Sequence, residues 1–205
     1  MTDYVLIGGG ALAREIVDWF TPSLAAAGSR FTGYLDDGPS PMKAFGFDLP
    51  QLGTTAGFDF GEARPVMAVG TPAGKRALAE RYAGRAFATL VHPTALVSAS
   101  AQLGQGVVVG PFAMVSANAV VDDFVMVNAY ASVGHDARVG TCATLSCHVD
   151  LTGAVQVGRE TFFGSGARVI PGVRVGDRCT IGAGAVVVRR TGDDATLFAA
   201  PARRL

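Results

Sequence analysis

The stretch VVVGPFAMVSANAVVDDFVMVNAYASVGHDARVG, residues 107–140, carries a valine at every sixth position. The spacing continues in both directions without interruption, and seventeen successive large apolar residues fall on it between residues 91 and 187. These are Val91, Val97, Leu103, Val109, Val115, Val121, Val127, Val133, Val139, Leu145, Leu151, Val157, Phe163, Val169, Val175, Ile181 and Val187. A small residue or Val stands two positions before nearly all of them, and Gly or Ser often follows directly. This regularity predicts a repeat architecture.

A period of six fits neither the 3.6 residues of a helical turn nor the spacing of hairpin strands. Two inward positions in six residues instead describe one short strand followed by a turn. Three such strands make a triangular coil, and successive coils stack about 4.8 Å apart around a continuous core. We expect the glycines near the turns to supply the positive φ that other residues avoid. The sequence therefore predicts a parallel β-helix, whose handedness the period alone does not determine.

The segment before the repeats alternates strands and helices. Residues 3–8 read as a buried strand, and a Gly-rich turn then opens a helix over 13–20. Strands at 31–37 and 65–70 follow, and the second leads into a helix over 71–82. This alternation predicts a parallel sheet with ligands at the carboxyl ends of its strands. We therefore expect a mixed fold, with a small half-Rossmann α/β domain at residues 1–88 and the β-helix at residues 89–205.

The turn after the first strand, Gly8-x-Gly10-x-x-Ala13, fits a dinucleotide-binding fingerprint, and the second strand ends in Asp36-Asp37. A dehydrogenase is excluded on size, because only about 90 residues precede the repeats, roughly half of a doubly wound fold. A domain that binds a single nucleotide fits better.

Composition narrows the possible partners. Lys and Arg number 17 and so do Asp and Glu, so the net charge is zero and gives no basic surface for nucleic acid or an anionic membrane. No apolar run reaches the length of about 20 residues that a bilayer span requires, and the N-terminus shows no signal-peptide pattern. Three cysteines without paired spacing indicate reduced thiols, and hence a cytoplasmic protein.

Segments such as VGPFAM, VGHDARVG, FFGSGARV and IGAGAVVV resemble the hexapeptide-repeat acyltransferases. The C-terminal FAAPARRL is similar to the ending of that family, with Ala199 where Gly is usual. The resemblance implies a left-handed β-helix. It also implies a homotrimer in which acetyl-CoA, the co-substrate, lies in clefts between neighbouring helices.

Together with the N-terminal domain, the chain resembles the nucleotide-sugar N-acetyltransferases of bacterial surface glycans, to which sialic acid O-acetyltransferases are related. In that family a Gly-rich turn, an Asp-Asp pair and a Gly after the third strand hold the nucleotide sugar. The residues at these positions are Gly10, Ala11, Leu12, Asp36, Asp37 and Gly70. Leu12 stands where the family commonly has a His near the acceptor.

Acetyl transfer to an amine needs a base, and His has a suitable pKa range. His135 lies two positions after an inward Val, so we expect it to point outward near a turn. The resemblance aligns His135 and Asp136 with the family's catalytic His-Glu/Asp dipeptide, in which the carboxylate orients the imidazole. His92, before a Pro at the entry to the helix, is interpreted as structural, and His148 as a surface or CoA-contacting group.

The resemblance also suggests residues around the co-substrate. Asn128 matches a family Asn near the active site, although a stacked turn residue is an equal alternative. The positions expected to contact CoA are Thr144, Gly164, Ser165, Gly182 and Ala183. Thr144 replaces a frequent His of the family. We expect Cys179 in the core and no acyl-cysteine intermediate, since no cysteine lies in a Cys/His constellation, and no metal-ligand spacing is present.

The sequence thus favours direct acetyl transfer from acetyl-CoA to a nucleotide-linked sugar, with the amine of a 4-amino-4,6-dideoxyhexose as the acceptor. O-acetylation of a sugar hydroxyl is the first alternative. The second is a non-catalytic trimer that binds nucleotide sugars.

Overall fold

A computed structural model describes residues 2–39 and 42–200. Its N-terminal part is a four-stranded parallel sheet in which the strands, numbered along the chain, lie in the order third, second, first, fourth, with one helix after the first strand and one after the fourth. The elements are β1 Asp3–Ile7, α1 Ala11–Ala26, β2 Arg30–Leu35, a 3-10 turn Met42–Phe45, β3 Gln51–Gly53, β4 Arg64–Met67 and α2 Pro72–Arg81. The predicted α/β domain is confirmed; the short edge strand β3 is an addition that the sequence analysis did not contain.

The rest of the described chain is a parallel β-helix of two-residue strands, which stack into three faces. The first face holds β5 Leu90–Val91, β8 Val108–Val109, β11 Met126–Val127, β14 Thr144–Leu145, β17 Phe162–Phe163, β20 Thr180–Ile181 and β22 Thr196–Leu197. The second holds β6 Leu96–Val97, β9 Met114–Val115, β12 Ser132–Val133, β15 Asp150–Leu151, β18 Arg168–Val169 and β21 Val186–Val187. The third holds β7 Gln102–Leu103, β10 Val120–Val121, β13 Arg138–Val139, β16 Gln156–Val157 and β19 Arg174–Val175.

The chain runs through these faces in order. We call the turns that lead from the first face to the second face the first corner. The turns from the second face to the third face form the second corner. The turns from the third face back to the first face form the third corner. Each strand pairs with the strand eighteen residues away, as Met126 does with Thr144, except that β20 and β22 are sixteen residues apart. The predicted mixed fold, an α/β domain followed by a β-helix, is therefore confirmed.

The inward positions stack into one continuous core, as the six-residue period predicts. Val109, Val127, Leu145, Phe163 and Ile181 form one such column, and all are fully buried. The end of the column departs from the prediction: Val91 is 41% exposed, because its strand begins the first coil and has no coil beneath it.

The glycines that directly follow the inward residues do not supply the positive φ, although Gly106, Gly166, Gly172 and Gly184 within the turns do, as expected. Positive φ instead falls two positions later, mostly on non-glycine residues such as Tyr130, Asp136 and His148. At several of these glycines the next coil lies too close for a Cβ atom as the backbone stands. A Cβ on Gly164 would come within 2.6 Å of the backbone of Ala183.

The α/β domain packs on the first face and the third corner of the β-helix. Val108 and Met126, outward on the first face, join the apolar cluster of the N-terminal sheet and α1. At the third corner the Phe124 ring meets Phe87 edge-on, with centroids 4.9 Å apart. The second corner lies opposite this contact. Within the described residues no helix has the length and apolarity that a bilayer crossing requires.

Candidate functional site

His135 and Asp136 form a hydrogen-bonded pair at the second corner. The His135 Nδ1 atom lies 2.8 Å from Asp136 Oδ2, and both side chains are more than half exposed. The hydrogen bonds from His135 and then from Asn118 hold the pKa of Asp136 below its ordinary value, so this carboxylate is ionised at neutral pH. A proton on Nδ1 leaves the Nε2 lone pair free to accept a proton, as a general base requires.

Two further residues position this pair, and the sequence analysis missed both. Asn118 donates a hydrogen bond from Nδ2 to Asp136 Oδ1 at 3.2 Å. Gly153 lies under the imidazole, where an added Cβ would come within 2.4 Å of His135 Nε2. The length of one coil could have revealed both residues. Asn118 lies eighteen positions before Asp136, and Gly153 lies eighteen positions after His135.

The predicted nucleotide-sugar residues meet at the carboxyl edge of the N-terminal sheet. Gly10 is the N-cap of α1, with no capping side chain and open space where a Cβ would lie. Ala11, exposed, begins the helix. A helix N-terminus with accessible backbone N–H groups favours a phosphate or other anion. Leu12 and Gly70 lie together, since a Cβ on Gly70 would be 3.6 Å from the Leu12 side chain.

Asp36 and Asp37 make different contacts. The Asp36 carboxylate accepts hydrogen bonds from the backbone N–H of Gly9 at 2.8 Å and of Gly38 at 2.9 Å, so it braces the Gly-rich turn. Asp37 accepts hydrogen bonds from the backbone N–H and the hydroxyl of Thr55, and it pairs with Arg81. These contacts, led by those from Thr55, hold the pKa of Asp37 below its usual range.

A cavity of about 280 Å³ opens beside Asp37. It is lined by Gly8, Asp36, Asp37, Thr55, Val69, Gly74, Ala77, Leu78 and Arg81. Thr55 and Arg81 did not appear in the sequence analysis, because they follow β3 and end α2, far from the Gly-rich and Asp-Asp motifs in the sequence.

Thr144 does not occupy the predicted place beside CoA. Its side chain is 4% exposed, and its hydroxyl donates a hydrogen bond to the carbonyl oxygen of Gly70 at 2.7 Å. The neighbouring Ala143 carbonyl accepts a hydrogen bond from the buried Lys75 ammonium group, also at 2.7 Å. Thr144 is therefore a contact between the two domains, and the expectation that it binds the co-substrate is corrected.

The other predicted CoA residues lie at the first corner, on one side of the second face. Gly164 and Gly182 stack there, and Ser165 and Ala183 beside them are exposed. Gly182 lies beneath the ring of Phe198, which would have to move for a ligand to reach the main chain at that point. Asn128 begins the same corner, and its Oδ1 accepts a hydrogen bond from the next backbone N–H at 2.6 Å.

The remaining histidines and cysteines lie apart from the His135 pair. His92 contacts Thr94 and the edge of Phe20, and the exposed His148 stacks on Tyr130 with centroids 4.9 Å apart. Cys179 is buried in the core as predicted. Cys142 is covered by the α/β domain, and Cys147 is half-buried. No group of three or more potential metal ligands occurs in the described ranges.

Comparisons with known proteins agree with this architecture. Residues 154–189 match the model of the bacterial transferase hexapeptide (six repeats) family. The acetyltransferase domain of PglB from Neisseria gonorrhoeae FA1090 is 31% identical, with 100% of both chains covered and a TM-score of 0.85. Its complex with acetyl coenzyme A also matches, at 32% identity, 99% and 98% coverage and a TM-score of 0.84.

A variant of perosamine N-acetyltransferase from Caulobacter crescentus, in complex with CoA and GDP-perosamine, is 32% identical. The match covers 99% of this chain and 96% of that chain, with a TM-score of 0.85. A search of curated protein sequences found no significant match. Because two relatives above 30% identity match along essentially the whole length, the chain belongs to the hexapeptide-repeat acyltransferases that resemble nucleotide-sugar N-acetyltransferases.

Proposed function

We propose that the protein transfers an acetyl group from acetyl-CoA to the amine of a nucleotide-linked 4-amino-4,6-dideoxyhexose, with His135 as general base. The observation that carries this proposal is the His135–Asp136 pair on the exposed second corner. The chain is also similar along its length to a perosamine N-acetyltransferase and to the acetyltransferase domain of PglB. The Caulobacter relative is described in complex with CoA and GDP-perosamine, and the Neisseria relative with acetyl coenzyme A.

In the proposed reaction the sugar nitrogen attacks the carbonyl carbon of the thioester while His135 Nε2 takes a proton from that nitrogen. The C–N bond forms and the C–S bond breaks. The proton then passes from the imidazolium to the departing sulfur, so that CoA leaves as a free thiol. Asp136, ionised and bonded to Nδ1, stabilises the charged imidazolium between these two proton transfers.

We further propose that copies of the chain form a homotrimer and complete one another's active sites. The α/β domain packs on the first face, whereas His135 lies at the opposite corner, which places a nucleotide held by one chain on the far side of the β-helix from that chain's own His135. A neighbouring copy supplies the missing half, and closed rings of identical chains are the usual solution for such head-to-tail contacts.

The distribution of apolar surface supports this assembly. Eight of the eleven exposed large hydrophobic side chains in the described part lie on the second face and its two corners. They are Leu96, Met114, Val186, Phe112, Tyr130, Phe198, Ile170 and Val188. An apolar patch of this kind marks an interaction surface, and it lies between the corner that carries Gly164 and the corner that carries His135.

One observation favours a second candidate, transfer to a sugar hydroxyl. Leu12, which packs beside Gly70, offers no polar atom at the position where the family commonly has a His. An acetyl-CoA consumption assay tests both functions, with UDP-, dTDP- and GDP-linked 4-amino-6-deoxy sugars and the matching 4-hydroxy sugars as acceptors. Turnover confined to an amino sugar supports the proposal. Turnover confined to hydroxyl sugars would replace it with O-acetylation.

A calorimetric titration with CoA distinguishes both candidate acetyltransferase activities from a non-catalytic trimer that only binds nucleotide sugars. Binding of CoA together with acetyl transfer supports the proposal. Nucleotide binding without CoA binding or turnover would contradict it.

A further inference from the structure

The cavity beside Asp37 has an apolar wall and a polar rim. Val69, Ala77 and Leu78 line it with carbon atoms, and the side chains of Asp37 and Arg81 stand at its edge, 59% and 43% exposed. The Gly-rich turn and the N-terminus of α1 adjoin it through Asp36, which binds Gly9. If the diphosphate lies at that helix N-terminus, the nucleobase reaches this cavity with its face on the apolar wall and its polar edge toward the rim.

The hydrogen-bonding capacity of Asp37 is almost used up within the protein. A carboxylate has about four acceptor positions, two on each oxygen. Oδ1 accepts the backbone N–H of Thr55 at 2.7 Å, while Oδ2 accepts the Thr55 hydroxyl at 2.8 Å and an Arg81 N–H at 3.4 Å. One position, on Oδ1, is left for a ligand.

Thr55 is itself fixed, so this arrangement does not relax easily. Its side chain is buried, its carbonyl oxygen accepts a hydrogen bond from the Tyr82 hydroxyl, and its own hydroxyl also accepts one from Arg81 Nη1. Arg81 uses only Nη1 in these contacts. Its Nη2 and Nε have no partner among the described residues, so they can donate to a ligand carbonyl beside Asp37.

On Asp37 the rim therefore presents one acceptor next to the donors of Arg81, while each carboxylate oxygen of Asp36, which also lines the cavity, already accepts one backbone N–H. Uracil and thymine match it, because each has one ring N–H flanked by two carbonyl oxygens. Guanine has a carbonyl oxygen followed by two adjacent N–H donors. After its ring N–H has taken the free position on Asp37, its amino group has no second acceptor on that carboxylate. An unmatched donor at a binding edge weakens binding.

We propose that this pocket selects a uracil or thymine nucleotide over a guanine nucleotide. The inference rests on the proposed function, since it assumes that the cavity holds the base of the nucleotide sugar. The substrate class is then a UDP- or dTDP-linked amino sugar.

Calorimetric titration of the full chain with UDP, dTDP and GDP tests the proposal without any sugar or acetyl-CoA. We expect UDP or dTDP to bind about tenfold more tightly than GDP, the effect of one unmatched hydrogen-bond donor. Equal or tighter binding of GDP would overturn the base selection and leave the proposed function standing. Failure of all three to bind would overturn the nucleotide-sugar function and this inference together.

Arg81→Met supplies the sharper test. It removes the donors that meet the carbonyl of the base, and it frees the second acceptor position on Asp37 Oδ2. We expect weaker UDP binding with little loss for GDP, so that the ratio of the two dissociation constants moves toward one. A purely structural role of Arg81 would weaken both ligands by the same factor and would contradict the proposal.

Arg85→Met is the matched control. Arg85 follows α2, and its guanidinium donates hydrogen bonds to the carbonyls of Gly61 and Ala63, away from the cavity. We expect the dissociation constants of this variant to equal those of the wild type. A change in the UDP-to-GDP ratio in this variant would show that selection does not depend on the rim, and would overturn the assignment.

Discussion

At the scale of single residues, His135 depends on neighbours one coil above and one coil below it. Asp136 bonds to its Nδ1, Asn118 bonds to Asp136, and Gly153 leaves room for the ring. Asp136 adopts a φ of 60°, which turns its carboxylate back toward the imidazole of the preceding residue. The pair is therefore held by coil stacking as well as by its own sequence.

Gly153→Ala tests this dependence. The backbone φ of Gly153 is not in the left-handed region, so Ala fits the main chain, but its Cβ would displace the imidazole. A displacement of about 1 Å can lower a rate by about a hundredfold. We expect kcat to fall roughly 10- to 100-fold, with KM and the thermal midpoint much less affected.

Gly192→Ala is the control, because a Cβ there meets nothing within 4 Å. We expect this variant to keep the wild-type kcat. An unchanged kcat in Gly153→Ala would mean that the position of the imidazole is unimportant for turnover.

The sequence predicted part of this arrangement and missed the rest for a physical reason. The six-residue register placed His135 outward, because it counts two positions from the inward Val133. Asn118 and Gly153 were missed, because they become neighbours only through the pairing of strands eighteen residues apart. Thr144 was misassigned, because no local pattern reveals that a turn of another domain covers its side chain.

At the scale of elements, a buried hydrogen bond and a partly buried one tie α2 and the turn before it to one coil of the β-helix. Lys75 Nζ donates to the carbonyl of Ala143, and Thr144 donates to the carbonyl of Gly70, just before α2 begins. These bonds fix the carboxyl edge of the N-terminal sheet against the first face. The elements themselves were predictable from periodicity, whereas their docking depends on contacts between distant segments.

Lys75 should make stability depend on pH. Burial lowers its pKa from 10.5 to about 7 in the folded protein. Between these values the unfolded chain binds more protons than the folded one, so the free energy of unfolding rises with pH across this window. From pH 7 to pH 9 the stability of the wild type relative to Lys75→Met should rise by about 2 kcal/mol.

Urea unfolding of both proteins at several pH values measures this difference. Burial raises the pKa of the nearby Cys142 to about 11, from 9.0, so this thiol affects both proteins mainly above the chosen range. A difference in the free energy of unfolding between the two proteins that stays constant from pH 7 to pH 9 would show that burial does not lower the pKa of Lys75.

At the scale of the whole molecule, the carboxyl edge of the N-terminal sheet and His135 lie on opposite sides of the β-helix. Seventeen regularly spaced residues made the β-helix predictable, because every coil repeats the same packing. The separation of the predicted nucleotide-sugar residues from His135 was not predictable, because it depends on which face the α/β domain covers. That choice follows from apolar outward residues such as Val108 and Met126, which the inward repeat does not specify.

Mixed assemblies test whether neighbouring chains share a site. Gly10→Asp should fold, since Asp is a favourable N-cap, but its charge should repel the diphosphate. His135→Ala should lack the base. After a 1:1 mixture is unfolded and refolded together, about a quarter of shared sites would contain both wild-type halves.

We therefore expect the mixture to recover about a quarter of the wild-type activity, although each variant alone is nearly inactive. Each variant refolded alone is the control for the procedure. A mixture as inactive as its components would mean that each site is built from one chain.

The most direct test of the central claim is the rate of acetyl transfer to a nucleotide-linked amino sugar by the wild type and by His135→Ala, with N-acetylated product followed by mass spectrometry. His135 is exposed, so the variant should keep its fold, which circular dichroism and the thermal midpoint check. The account predicts a loss of about 10²- to 10⁴-fold in kcat, the usual contribution of a general base. Turnover by a folded His135→Ala protein at the wild-type rate would contradict it.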